Sequence, residues 1–276
     1  MAAVANRMPT YFVSHGGGPW PLIKDLMPVD WTPLEESLRS IPREVGDHPR
    51  AILVVSGHWE TPEFTVQTNP RPPMVYDYGG FPDFTYQIQY PAPGAPDVAA
   101  RVGELLASAG ITHVEDAERG YDHGVFAPLY VMYPEADVPI VQLSIKRSYD
   151  PADHLAAGRA LAPLRDEGVV ILGSGFTFHN LRIMGPAAAE PSAQFERWLT
   201  DTLVDGPIDE RDERLLRWDA APGARLSHPA EDHLVPLMVA VGAADEERGE
   251  RIYFEDDFMG GVTSASYRFG AVPAIV

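Results

Sequence analysis

The strongest constraint on the fold is a set of short apolar runs, Thr10 to Val13, Ala51 to Val55, Val138 to Ile145 and Val169 to Leu172. Runs of this length, without polar alternation, suit strands buried on both faces. Between them, Pro96 to Ala109 and Pro151 to Arg165 carry helical periodicity and stop at Gly110 and near Gly168. Strands alternating with helices predict an α/β fold: a single-domain layered sandwich over residues 1–276, with a central, mostly parallel or mixed sheet and helices on both faces. At 276 residues and 45% hydrophobic composition, the chain suffices for one large core.

Residues Asn69 to Pro96 are dense in Pro, Gly and aromatic side chains and read as a long irregular excursion, a kind of loop that is usually functional. Its Tyr76, Tyr78, Phe81, Phe84 and Tyr86 either wall an apolar ring pocket or pack beneath the loop, and Trp59 carries the same two readings. Glu190 to Asp219 is charged and predicts surface helices.

The net charge of -19 argues against nucleic acid as a partner, since phosphate neutralisation needs clustered Lys and Arg. The absence of cysteine removes disulfides and thiolate ligands, so a metal would be held by His, Asp or Glu. Met1 to Thr10 lacks a long apolar stretch and no segment approaches membrane-spanning length, which predicts a cytoplasmic protein.

Three of the apolar runs lead through small residues to a histidine: Ser14-His15-Gly16-Gly17-Gly18, Ser56-Gly57-His58-Trp59, and Gly173-Ser174-Gly175 before His179-Asn180-Leu181. In α/β sheets ligands bind beyond the carboxyl ends of strands, so His15, His58 and His179 are candidates to converge, with glycines beside them letting backbone approach a ligand or turn. His233 opens the apolar stretch His233 to Val241, and His123 lies in Tyr121-Asp122-His123-Gly124. One histidine after a strand is usually structural; three repeats point to a nitrogen-rich metal site suited to iron or zinc. A zinc hydrolase and a closed, non-catalytic metal site are the competing readings. His48, His113, His154 and His228 read as ordinary, although His228 is near enough to His233 to join from a loop.

In order along the chain, Ser14-His15-Gly16, Ser56-Gly57-His58-Trp59, Tyr78-Gly79-Gly80-Phe81-Pro82, Tyr90-Pro91-Ala92-Pro93-Gly94, Tyr121-Asp122-His123-Gly124, His179-Asn180-Leu181 and Asp232-His233-Leu234-Val235-Pro236-Leu237 resemble the 4,5-DOPA extradiol dioxygenase group of the class III extradiol ring-cleavage enzymes. The resemblance implies that O2 is inserted into a catechol-type ring beside the vicinal diol, giving a semialdehyde. It implies Fe(II) for activity, with Zn(II) a possible bound metal. His15, His58 and His233 match metal ligands, His179 matches either a further ligand or the base that deprotonates substrate, and His123 matches a pocket histidine acting as hydrogen-bond partner and proton donor. Glu231 or Asp232 is a secondary candidate for a carboxylate ligand, and Asp122 either orients His123 or is solvated.

Overall fold

The computed structural model describes residues 7–46 and 49–272; His48 lies outside them. The strands are β1 (Thr10–Ser14), β2 (Ala51–Thr61), β3 (Phe64–Gln67), β4 (His113–Asp116), β5 (Ile140–Lys146), β6 (Val169–Gly175), β7 (Gly249–Phe258) and β8 (Val262–Phe269). The helices are α1 (Trp20–Ile23), α2 (Thr32–Val45), α3 (Pro96–Ser108), α4 (His123–Met132), α5 (Pro151–Leu161), α6 (Ala189–Thr200), α7 (Arg211–Leu216), α8 (Ala224–Ser227) and α9 (Val235–Ala244).

One sheet of order β4-β3-β5-β2-β6-β1-β8-β7 runs through the molecule. Its centre, β5-β2-β6-β1, is parallel, while β8 and β7 join antiparallel at one side and β3 pairs antiparallel with β5 at the other. The mixed α/β architecture follows from the predicted apolar runs. Successive side chains of a strand face opposite ways. Ile52, Val54, Val170 and Leu172 therefore meet Leu34, Leu38 and Ile41 of α2 and Leu129 of α4. Leu53, Val55, Val169 and Ile171 meet Val98, Val102 and Leu106 of α3, Leu161 of α5 and Val239 of α9. All residues of α9 are buried, as a helix without a polar face requires. Asp150 caps α5, its side chain accepting from the Ala152 N–H.

Two boundaries differ from expectation. β6 continues through Gly173-Ser174-Gly175, and β2 continues through His58 to Thr61, its register against β5 slipping between Val55 and Glu60. The glycines there serve backbone packing more than turns. A Cβ on Gly57 would stand 2.7 Å from the Asp232 carbonyl oxygen, on Gly173 2.4 Å from that of Pro236, and on Gly175 2.1 Å from that of His233. Only hydrogen-bearing positions let the segment leading into α9 lie against the sheet, and this contact carries His233 to the strand ends.

The charged stretch from Glu190 is also not wholly superficial: Phe195, Glu196 and Leu199 of α6 are buried, with Glu196 Oε1 accepting from Arg251 Nη1 at 2.7 Å.

Candidate metal centre

His15 follows β1, His58 lies in β2, and His233 precedes α9; the fold brings their rings together. His15 Nε2 and His233 Nε2 each lie 3.1 Å from His58 Nε2. The far nitrogen of each ring defines its tautomer. His15 Nδ1 lies 3.0 Å from Ser174 Oγ, which donates its own hydrogen to the Gly124 carbonyl, so the hydroxyl accepts from Nδ1–H. His233 Nδ1 donates to Asp232 Oδ2 at 2.5 Å. His58 Nδ1 faces Asp77 Oδ2 at 3.3 Å. With all three Nδ1 atoms carrying hydrogen, three Nε2 lone pairs converge on one point without a proton to share. A cation between them is what such a donor set fits.

The electrostatics agree. Burial holds His15 and His233 well below the ordinary imidazole pKa, and the neighbouring imidazoles add to the effect. His58 is lowered to about 4, first by burial and then by the His123 charge, against the opposing pull of Asp122 and Asp77. The rings are therefore neutral at pH 7, the form that ligates.

His123 opens α4 beside this cluster, its ring centroid 3.8 Å from that of His58. Asp122 does not orient it. That carboxylate caps α4 by accepting from Val125 N–H, and it accepts from Ser56 Oγ at 2.7 Å, Gln142 Nε2 at 2.6 Å and Arg119 Nη2 at 2.7 Å. Since Ser56 Oγ in turn accepts from His58 N–H at 3.2 Å, fully buried Asp122 pins the backbone that carries His58. The orienting group is Asp77, which sequence reasoning missed. Its Oδ1 accepts from His123 Nδ1 at 2.8 Å and from His123 N–H at 3.0 Å. Burial pushes the Asp77 pKa up, but the His123 hydrogen bond and the His123 and His58 charges bring it below the ordinary value.

His179 stacks on His233 with ring centroids 3.4 Å apart and planes 19° from parallel, and its Nδ1 lies 3.6 Å from Asp232 Oδ2. Burial lowers its pKa, Asp232 opposes, and His123 reinforces the shift. Glu231 is occupied elsewhere, pairing with Arg225 at 2.7 Å. His228 does not join the cluster: its Nε2 lies 3.0 Å from the Thr177 carbonyl, and its ring packs edge-on against Phe195 and Trp218.

The histidines line a cavity of about 330 Å³ walled by Phe176, Phe178, Met184, Phe258, Met259 and Val262. Of the five aromatic candidates in the long loop, Tyr78 alone lines it; Phe84 is exposed, and Tyr76 and Tyr86 pack about Tyr78. Trp59 is buried beneath the Arg119 guanidinium, 5.1 Å from its ring centroid.

Residues 9–270 match the family described as the catalytic LigB subunit of aromatic ring-opening dioxygenase. The chain belongs to the LigB family. A relative from Beta vulgaris, named 4,5-DOPA dioxygenase extradiol, is 39% identical across 98% of this chain and 99% of its own. One of the same name from Escherichia coli K12 is 38% identical across 96% of each. The solved structure of an uncharacterized Escherichia coli K12 protein superposes with a TM-score of 0.76 at 32% identity, covering 96% of this chain and all of that one. The protein is an extradiol ring-cleaving dioxygenase. Among the described residues, no helix is long and apolar enough to cross a membrane.

Proposed function

We propose that His15, His58 and His233 hold one Fe(II) ion through Nε2 and that the enzyme opens a catechol beside its vicinal diol, with O2 as co-substrate, to a semialdehyde. The observation that carries this reading is the meeting of three proton-free Nε2 atoms, each ring fixed from behind by Ser174, Asp77 or Asp232. Iron, when bound, supplies the redox chemistry with O2 that zinc lacks; zinc would occupy the same nitrogens tightly by the Irving–Williams order.

The protein's own groups divide the remaining work. His179 is the base. Its ring is stacked on that of His233 and its Nδ1 faces Asp232 Oδ2. Its lowered pKa leaves it neutral at pH 7 and able to take a phenolic proton, and Asp232 stabilises the imidazolium that forms. His123, tied through Nδ1 to Asp77, presents Nε2 to a bound molecule as the hydrogen-bond partner and proton donor during ring opening. The apolar wall holds the aromatic ring and excludes water. A cysteine-free chain suits the reducing cytoplasm as its working compartment.

The test is anaerobic reconstitution with Fe(II), followed by air and a catechol. A yellow ring-fission product is expected, with none from the Zn(II) form. Colourless, unreacted catechol with the Fe(II) form overturns the reading.

A further inference from the structure

We infer that Gly17 sets which catechols the enzyme accepts: the space left by its missing side chain is taken by the 4-substituent of the bound ring. The inference rests on the ring-cleavage reading above. Three consecutive glycines, Gly16, Gly17 and Gly18, line the cavity directly after His15. The outer two are glycines for reasons internal to the protein. Gly16 has φ +80° and a Cβ there would stand 2.4 Å from the Trp20 ring; Gly18 has φ +54° and a Cβ there would stand 2.7 Å from the Phe81 ring. A left-handed backbone and a ring in the way each exclude a side chain.

Gly17 has neither reason. Its φ is not positive, and a Cβ built there meets nothing within 4 Å. Where the backbone permits it, a larger residue favours the fold by lowering the entropy of the unfolded chain. The protein forgoes that gain at a half-buried position on the cavity wall. What a side chain at this position would meet is a bound molecule.

The surrounding chain is clamped on both sides. Trp20 donates its Nε1–H to the His15 carbonyl at 2.8 Å, and its ring stacks on Trp31 with centroids 4.7 Å apart. Phe81, which lies against Gly18, is edge-on to Tyr78 at 5.6 Å. Held at Gly16 and Gly18, the backbone keeps Gly17 in place, so an added side chain takes cavity space. Two residues from His15, the Gly17 Cα lies at most about 7.6 Å from that residue's Cα. A catechol presenting its two oxygens to His15, His58 and His233 turns its 4-substituent away from them and along the wall. Cavities of about 300–1,000 Å³ take drug-sized ligands, so one of about 330 Å³ has room for a substituent beyond the ring. Selection of this kind is by volume and is blind to charge.

The test takes the full chain as wild type, Gly17→Ala and Gly17→Leu. With the Fe(II) enzyme, kcat/KM is measured for catechol, 4-methylcatechol, 4-butylcatechol and L-DOPA; with the Zn(II) form, Kd is measured by calorimetry for the same four. Gly17→Leu should lower the 4-butylcatechol-to-catechol and L-DOPA-to-catechol ratios at least about tenfold, the penalty for forcing bulk into filled space. Gly17→Ala should lower them less, with a urea midpoint at or above that of wild type.

Ratios that fall by less than this in Gly17→Leu overturn the inference while leaving ring cleavage standing. So does a loss for L-DOPA without one for 4-butylcatechol, because the selection would then not be by volume. A Gly17→Ala midpoint below wild type also overturns it, since the fold itself would need the glycine. No turnover of any catechol by the wild-type Fe(II) enzyme overturns ring cleavage, and the Kd ratios then still decide the role of Gly17.

Discussion

Asp77 and His123 meet twice: one carboxylate oxygen accepts both the ring Nδ1–H at 2.8 Å and the backbone N–H at 3.0 Å. The other oxygen lies 3.3 Å from His58 Nδ1, so a residue of the aromatic loop braces both a candidate ligand and the candidate acid. Groups that orient ligating and proton-transferring histidines are worth roughly 10–100-fold in metal affinity or activity. Asp77→Ala should lose that much in kcat, and Asp77→Asn, which keeps an acceptor but no charge, should lose less. Steady-state O2 uptake measures both, and an Asp77→Ala enzyme with wild-type kcat contradicts the role.

Metal content separates the histidines. His15→Ala, His58→Ala and His233→Ala should each lose stoichiometric iron, read by elemental analysis after desalting. His123→Ala and His179→Ala should retain it and turn over slowly. Metal loss from His179→Ala would make that residue a ligand.

Backbone proximity gives a third expectation. A Cβ on Gly175 would lie 2.1 Å from the His233 carbonyl oxygen and 2.9 Å from the Phe12 ring. Gly175→Ala must displace the segment bearing His233, at a cost of about 1–3 kcal/mol for overpacking. Both the urea midpoint and iron affinity should fall; a variant matching wild type in both refutes the contact.

Acid stability rests partly on histidines outside the site. His154 is fully buried, with Nδ1 2.7 Å from the Asp150 carbonyl and Nε2 accepting from Lys146 N–H at 3.1 Å. Burial lowers its pKa from 6.5 to about 4, and lowers that of fully buried His228 to about 3. Both must be neutral in the folded state, so the unfolded chain binds more protons below pH 6.5. The contribution is whole above pH 6.5 and is lost as pH falls towards 4, amounting to about 3 kcal/mol for His154. Urea unfolding of the chelated protein at pH 7, 6, 5 and 4 should show the decline, and His154→Asn, which keeps a donor and an acceptor, should flatten its slope by about one proton between pH 6 and 5. An unchanged slope would contradict the assignment.

The central strands were legible in sequence because burial on both faces demands uninterrupted apolar residues, and His15 and His58 were legible because they sit where those runs give way to small residues. His233 was visible chiefly through the family motif. The flanking strands were hidden for physical reasons. β7 is an edge strand with charged residues facing water, and β8 buries Ser264 and Ser266, which satisfy Ser14, so neither reads as apolar. Asp77 was hidden because its partners lie 46 residues ahead at His123 and 19 residues (77 − 58) behind at His58, with no periodicity linking them. Asp122, adjacent to His123, drew attention to the wrong carboxylate; at a helix N-cap its side chain turns to its own backbone and to β2.

Phe258, Met259 and Val262 come from the turn of the antiparallel pair β7–β8, whereas His15, His58 and His233 come from the parallel strands β1 and β2 and the α9 entry. Part of the cavity wall thus resides on a stretch of chain supported separately from His15, His58 and His233. A tip whose Met259, Gly260 and Gly261 all take positive φ can be rebuilt to admit another ring substituent while the ion's nitrogens stay where the sheet holds them.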